Sequence, residues 1–112
     1  MNEQIEEIFS SVYEYIDKLI PAFEARAFKL QQGRRFEVQD YQVFTEGFIW
    51  VVNALISVEA EFDIDVPKVQ EKLDGFLTAL ENGDHVLVAD ILEYEFAPLL
   101  SSWQDKLLLK LR

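Results

Sequence analysis

One apolar stripe constrains this chain more than any other feature. Val38, Tyr41, Phe44, Phe48, Val51, Leu55, Val58 and Phe62 follow one another at steps of three and four. That spacing matches the 3.6-residue period of an α-helix and returns each side chain to one face. Ile49, Val52 and Ile56 widen the stripe, so the helix is apolar over much of its girth and is expected at the centre of its fold. It should run from about Phe36 to Phe62, roughly 40 Å at 1.5 Å per residue. Its apolar run Phe48–Val58 is about half of the roughly 20 residues needed to span a bilayer and carries Asn53 in its middle. A buried helix of a soluble protein is the reading. Asn53 is then expected to bond to a neighbouring helix, because an unpaired buried amide costs roughly 1–3 kcal/mol.

The same period organises the rest of the chain. Ile5, Ile8, Phe9, Val12, Ile16, Leu19 and Ile20 recur with Glu3, Glu6, Glu7, Glu14 and Asp17 largely between them, predicting a half-buried helix from about Asn2 to Ile20. Pro21 lacks an amide proton and restrains Ile20, which predicts a kink or a restart there. A second helix then reaches about Gln32 and stops at Gly33. Asp63-Ile-Asp-Val-Pro67 reads as a turn in which Asp65 caps the next helix and Pro67 occupies its first turn. That helix should bury Val69, Leu73, Phe76, Leu77 and Leu80 and end at Gly83. Asp84 caps a last helix that buries Val88, Leu92, Phe96, Leu99, Trp103 and Leu107, kinked by Pro98.

No segment alternates apolar and polar residues long enough to suggest a strand. The expected fold is all-α: an antiparallel bundle of four to five helices, kinked near Pro21 and Pro98. With 112 residues, half of them hydrophobic, the chain has material for a single helical domain over residues 1–112. Gly47 and Gly75 fall inside predicted helices, each at a cost of about 1 kcal/mol relative to alanine. Close helix approach is the simplest compensation. An offset of fifty aligns Leu30 with Leu80, Gly33 with Gly83, Val38 with Val88 and Asp40 with Asp90. Either an internal duplication or two hairpins obeying the same capping rules accounts for that pattern.

The formal charge of −11 weighs against nucleic acid and acidic membrane surfaces, since both require Lys and Arg to replace counterions. Between Arg35 and Lys68 there are seven carboxylates and no basic residue. Such a balance keeps a protein soluble, or presents an acidic face to a basic partner. The absence of cysteine removes disulfides, thiolate metal sites and a cysteine nucleophile. Met-Asn-Glu-Gln-Ile-Glu-Glu lacks the basic start and apolar run of a signal peptide, so a cytoplasmic location is expected.

The residues that carry chemistry in other proteins have plain structural duties here. His85 follows Gly83-Asp84, with no second histidine to complete a zinc site. Glu59, Glu61, Asp63 and Asp65 alternate like the start of a calcium loop, but Val66-Pro67 stands where further ligands belong. There is no Glu-x-x-His pair for a di-iron bundle and no nucleophile or phosphate-loop motif. The sequence therefore predicts no enzyme activity, no cofactor and no metal. Left over are Glu93, Tyr94 and Glu95, and Tyr13 or Tyr15 lies off the first helix's stripe; these five residues are the candidate interaction surface. Leu107, Leu108, Leu109 and Leu111 exceed what one buried stripe needs and are the candidate self-association residues.

The segments Glu46-Gly-Phe-Ile-Trp-Val-Val-Asn-Ala-Leu55 and Leu80-Glu-Asn-Gly-Asp-His-Val-Leu-Val-Ala-Asp-Ile-Leu-Glu-Tyr-Glu95 resemble those of small acidic all-helical proteins of Firmicute bacteria whose function is uncharacterised. The resemblance implies an α-helical fold and no particular activity. The function expected is a non-enzymatic protein-interaction module, adaptor or chaperone-like, with a partner that offers a basic surface. The alternatives are a bundle that binds a small apolar or cationic ligand between its helices, and a structural homodimer.

Overall fold

The computed structural model describes residues 2–112, which form four helices and, among those residues, no strand. α1 is Glu3–Gln31. α2 covers 38–57 as Val38–Gln42, a wide π-helical stretch Val43–Phe48, and Ile49–Ser57. α3 is Val66–Glu81. α4 covers 85–111 as His85–Ile91, a second wide stretch Leu92–Phe96, and Ala97–Leu111. The molecule measures 46 × 25 × 21 Å, and α1 runs nearly the length of the long axis. Its 29 residues extend about 44 Å.

Local chemistry fixes where the helices begin and end. Asn2, Asp65 and Asp84 accept hydrogen bonds from the amides of Ile5, Lys68 and Leu87 at 2.9, 3.1 and 3.1 Å, each supplying a partner to a first-turn N–H. Gly33 and Gly83 close α1 and α3 with φ of 82° and 64°, a region that costs other residues a Cβ clash. Arg34 N–H then reaches the Lys29 carbonyl at 3.1 Å, and Asp84 N–H reaches that of Ala79 at 3.0 Å, completing the same terminal motif twice.

The helices run antiparallel, as their paired contacts show. Along α1 and α2, Lys29 meets Asp40 and Tyr15 meets Trp50; along α1 and α4, Gln31 meets Glu93 and Asp17 meets Gln104. In the interior, phenylalanines from all four helices converge. Phe44 stacks on Phe76 at 4.3 Å, Phe48 lies 4.8 Å from Phe96, and Phe23 stacks on Phe44 at 5.8 Å. Trp103 stacks on Phe48 at 6.0 Å. Each such pair adds about 0.5–1.5 kcal/mol beyond the area it buries.

Several expectations are corrected. α1 runs unbroken through Pro21, so two predicted helices are one. Pro21 and Asp17 are both exposed, so water can take the carbonyl left without a donor, while Ile16, Leu19 and Phe23 hold the buried face. The helix at the centre is α1, which packs against α2 and the whole of α4, whereas Thr45, Glu46, Trp50, Asn53 and Ser57 of α2 face solvent. Asn53 thus needs no partner helix. α2 ends at Ser57 rather than Phe62, because Glu59 and Glu61 would stand at the negative end of a longer helix. Val38 and Tyr41 are exposed and Asp40 is buried, since the wide turn at Val43–Phe48 adds a residue and shifts the stripe. Gly75 has open space where a Cβ would stand; only Gly47 marks a close approach. The offset of fifty pairs exposed Val38 with buried Val88 and buried Asp40 with exposed Asp90, so the hairpins share caps rather than a packing register.

Candidate interaction groove

The aromatic residue most out of place in this packing is Trp50. It sits on the solvent side of α2, 42% exposed, with its ring stacked on Tyr15 of α1 at 5.1 Å. Gly47 makes that contact possible: a Cβ there would stand 2.9 Å from Leu19 Cδ1 and 3.1 Å from Tyr15 Oη. Above this crossing the two helices leave an open groove. One part, of about 570 Å³, is lined by Tyr15, Leu19, Ala22, Val43 and Trp50, with Glu14 and Lys18 on its rim. The adjoining part, of about 540 Å³, is lined by Ile8, Trp50, Ala54 and Ser57, with Gln4 and Glu7 on its rim. Ser11 and Trp50 line both, so the two hollows adjoin along the same α1/α2 seam. The α1 wall is made by positions 4, 7, 8, 11, 14, 15, 18, 19 and 22, a single face of that helix.

The corner that holds α1 against α2 is charged and buried. Asp40, 4% exposed, accepts hydrogen bonds from Lys29 Nζ at 2.6 Å and from the Glu37 amide at 2.7 Å. Arg26 Nε lies 3.2 Å from Asp40 Oδ1 without the alignment of a hydrogen bond, while Arg26 Nη1 donates to the Ala22 carbonyl at 3.0 Å. Burial pushes the Asp40 carboxyl up. The Lys29 hydrogen bond, the Glu37 amide and the charges of Lys29 and Arg26 outweigh that effect and hold it below the ordinary carboxylate range.

The residues singled out in the sequence do not form one surface. Tyr15 lines the groove, but Tyr13 faces the other way, where its carbonyl accepts from Gln104 Nε2 at 3.3 Å. Glu93 accepts from Gln31 Nε2 at 2.9 Å, at the far end of α1, about 27 Å from Tyr13 by helix rise. Glu95 pairs with Lys72 at 3.3 Å, leaving Tyr94 exposed between two occupied carboxylates. Leu107 is fully buried and Leu111 packs against the core, so only Leu108 and Leu109 face solvent. What the sequence reading missed is Trp50 as a groove residue. Its signal was its position off the Phe48-Val51-Leu55 line, on the side of Asn53.

These features define a class: an all-α antiparallel bundle with an aromatic groove open between two of its helices. The chain belongs to the family of a domain of unknown function, DUF8042, whose model matches residues 7–106 and so takes in Ser11, Tyr15 and Trp50. No curated protein and no solved structure matches it. No helix among the described residues is long and apolar enough to cross a membrane.

Proposed function

We propose that this protein is a non-enzymatic protein-interaction module, acting as an adaptor or chaperone-like factor in the bacterial cytoplasm, and that the α1/α2 groove is its binding site. The observation that carries the reading is the half-exposed Trp50, stacked on Tyr15 in an open and largely apolar groove. Tryptophan and tyrosine are enriched among the residues that dominate protein interfaces, because they bury large area at little cost in conformational entropy. The small-ligand alternative has less support: converging phenylalanines fill the interior, and the groove is open along its length. A homodimer through the terminal leucines is weakened by the burial of Leu107.

The test places a photo-crosslinking phenylalanine analogue at Ser11, which is exposed inside the groove, and compares it with the same analogue at Tyr94. Irradiation in the native cytosol should give discrete protein adducts from position 11 and not from position 94. Equal adducts from both, or none from position 11, would refute the assignment.

A further inference from the structure

The charges around the groove identify its occupant more closely than its shape does. Glu7 and Glu14 stand on the rim of its α1 wall, and Glu3, Glu6, Ser10 and Ser11 join Glu7 around a hollow on the outward face of α1, to which α2 contributes no residue. None of these four carboxylates is in an ion pair among the described residues, and Lys18 is the only basic side chain in the lining. The positive end of the α1 dipole accounts for Glu3 and Glu6 in the first turn. It does not reach Glu14, about three turns further on. From Gln4 to Ala22 the α1 wall is about 27 Å long, or five helical turns. Ser11, Ala22 and Ala54 keep the floor low, and Trp50 with Tyr15 forms a platform between the two hollows. A seam of this length with a central anchor suits a helix, which contacts a groove through residues at i, i+3, i+4 and i+7.

We propose that the α1/α2 groove docks a basic amphipathic helix of a partner protein. An apolar residue of that helix seats on Trp50 and Tyr15, and its Lys or Arg side chains stand against Glu7 and Glu14. The inference rests on the groove being the interaction site and adds the chemistry of the partner. It also sets a polarity: the basic end of the docked helix lies over the N-terminal half of α1, and an uncharged or acidic residue faces Lys18.

The test uses the full chain and two synthetic helices of about 18 residues, long enough to fill the groove. Both carry leucine at i, i+3, i+4 and i+7; one is flanked by Lys, the other by Glu. Binding is read from Trp50 emission, with a Trp50→Phe chain confirming the source of the signal. The Lys-flanked helix should bind and the Glu-flanked helix should not. A Glu7→Lys/Glu14→Lys chain should weaken the Lys-flanked helix about tenfold or more and admit the Glu-flanked one. An Asp74→Lys/Glu81→Lys chain, equal in net charge but altered on α3, should bind like the unaltered protein. Equal weakening by both double substitutions would reveal general attraction to an acidic protein and overturn the proposal. If both helices bind at Trp50 alike, the groove remains a protein site and the charge assignment falls. If neither reaches Trp50 while the Ser11 adduct still forms, the partner is not a basic helix. Self-association abolished by Glu7→Lys/Glu14→Lys would make a second copy the occupant, through Lys106, Lys110 and Arg112, and would also overturn it.

Discussion

Replacing Asp40 by Asn keeps the size of the side chain and removes the charge between Lys29 and Arg26. Losing one partner of a buried charge pair costs about 3–5 kcal/mol, because the other charge stays behind without compensation. Here the side chains of Lys29 and Arg26 retain 22% and 20% of their exposure, so water screens part of the penalty. The expected loss is about 2–3 kcal/mol. For a chain of this length that is a fall in Tm of about 10 °C. In urea the midpoint should drop by about 1–2 M at unchanged slope.

The pH dependence follows from the sign of the carboxyl's shift. Because folding lowers its pKa, the stabilisation by Asp40 is complete above the unfolded value of about 3.9 and is lost as pH falls through the lower folded value. The gap between the native protein and Asp40→Asn should therefore be constant near neutrality and close below about pH 4. Urea unfolding at a series of pH values measures both quantities. A variant within about 0.5 kcal/mol of the native protein at pH 7, or a gap that widens on acidification, would refute the account of this corner.

The two helical glycines should respond to alanine with opposite signs. Gly75→Ala meets open space in mid-helix and should raise stability by about 0.5–1 kcal/mol, whereas Gly47→Ala should lower it by about 1–2 kcal/mol through Leu19 and Tyr15, both read from urea midpoints. Leu107→Ala should cost about 2–5 kcal/mol, while Leu109→Ala, at a position 67% exposed, should stay within about 0.5 kcal/mol in the same assay.

Helix caps and most of the buried rows were legible because they depend on near neighbours in sequence, although Leu77, expected inside, is half exposed. Asp65, Asp84, Gly33 and Gly83 do in the structure what their residue types prescribe, and Val88, Leu92, Phe96, Trp103 and Leu107 lie buried in one row. The two wide turns were not legible. Periodicity assumes a constant turn, and an extra residue near Val43–Phe48 rotated Val38 and Tyr41 outward and Asp40 inward. Pro98 follows the second wide turn, with no amide to offer the carbonyl of Tyr94 four residues back. The groove escaped notice for another reason. It exists only where two helices meet, and no spacing within α2 says that Trp50 will find Tyr15.

The phenylalanines at the centre have a consequence for how the protein is made. Phe23, Phe44 and Phe48 leave the ribosome ahead of Phe96 and Trp103, which cover them from α4. Neither hairpin closes the aromatic centre alone. The nascent chain therefore carries an uncovered aromatic surface until α4 has emerged, a state prone to aggregation. Premature termination within α4 should yield a product for proteolysis rather than a smaller folded protein.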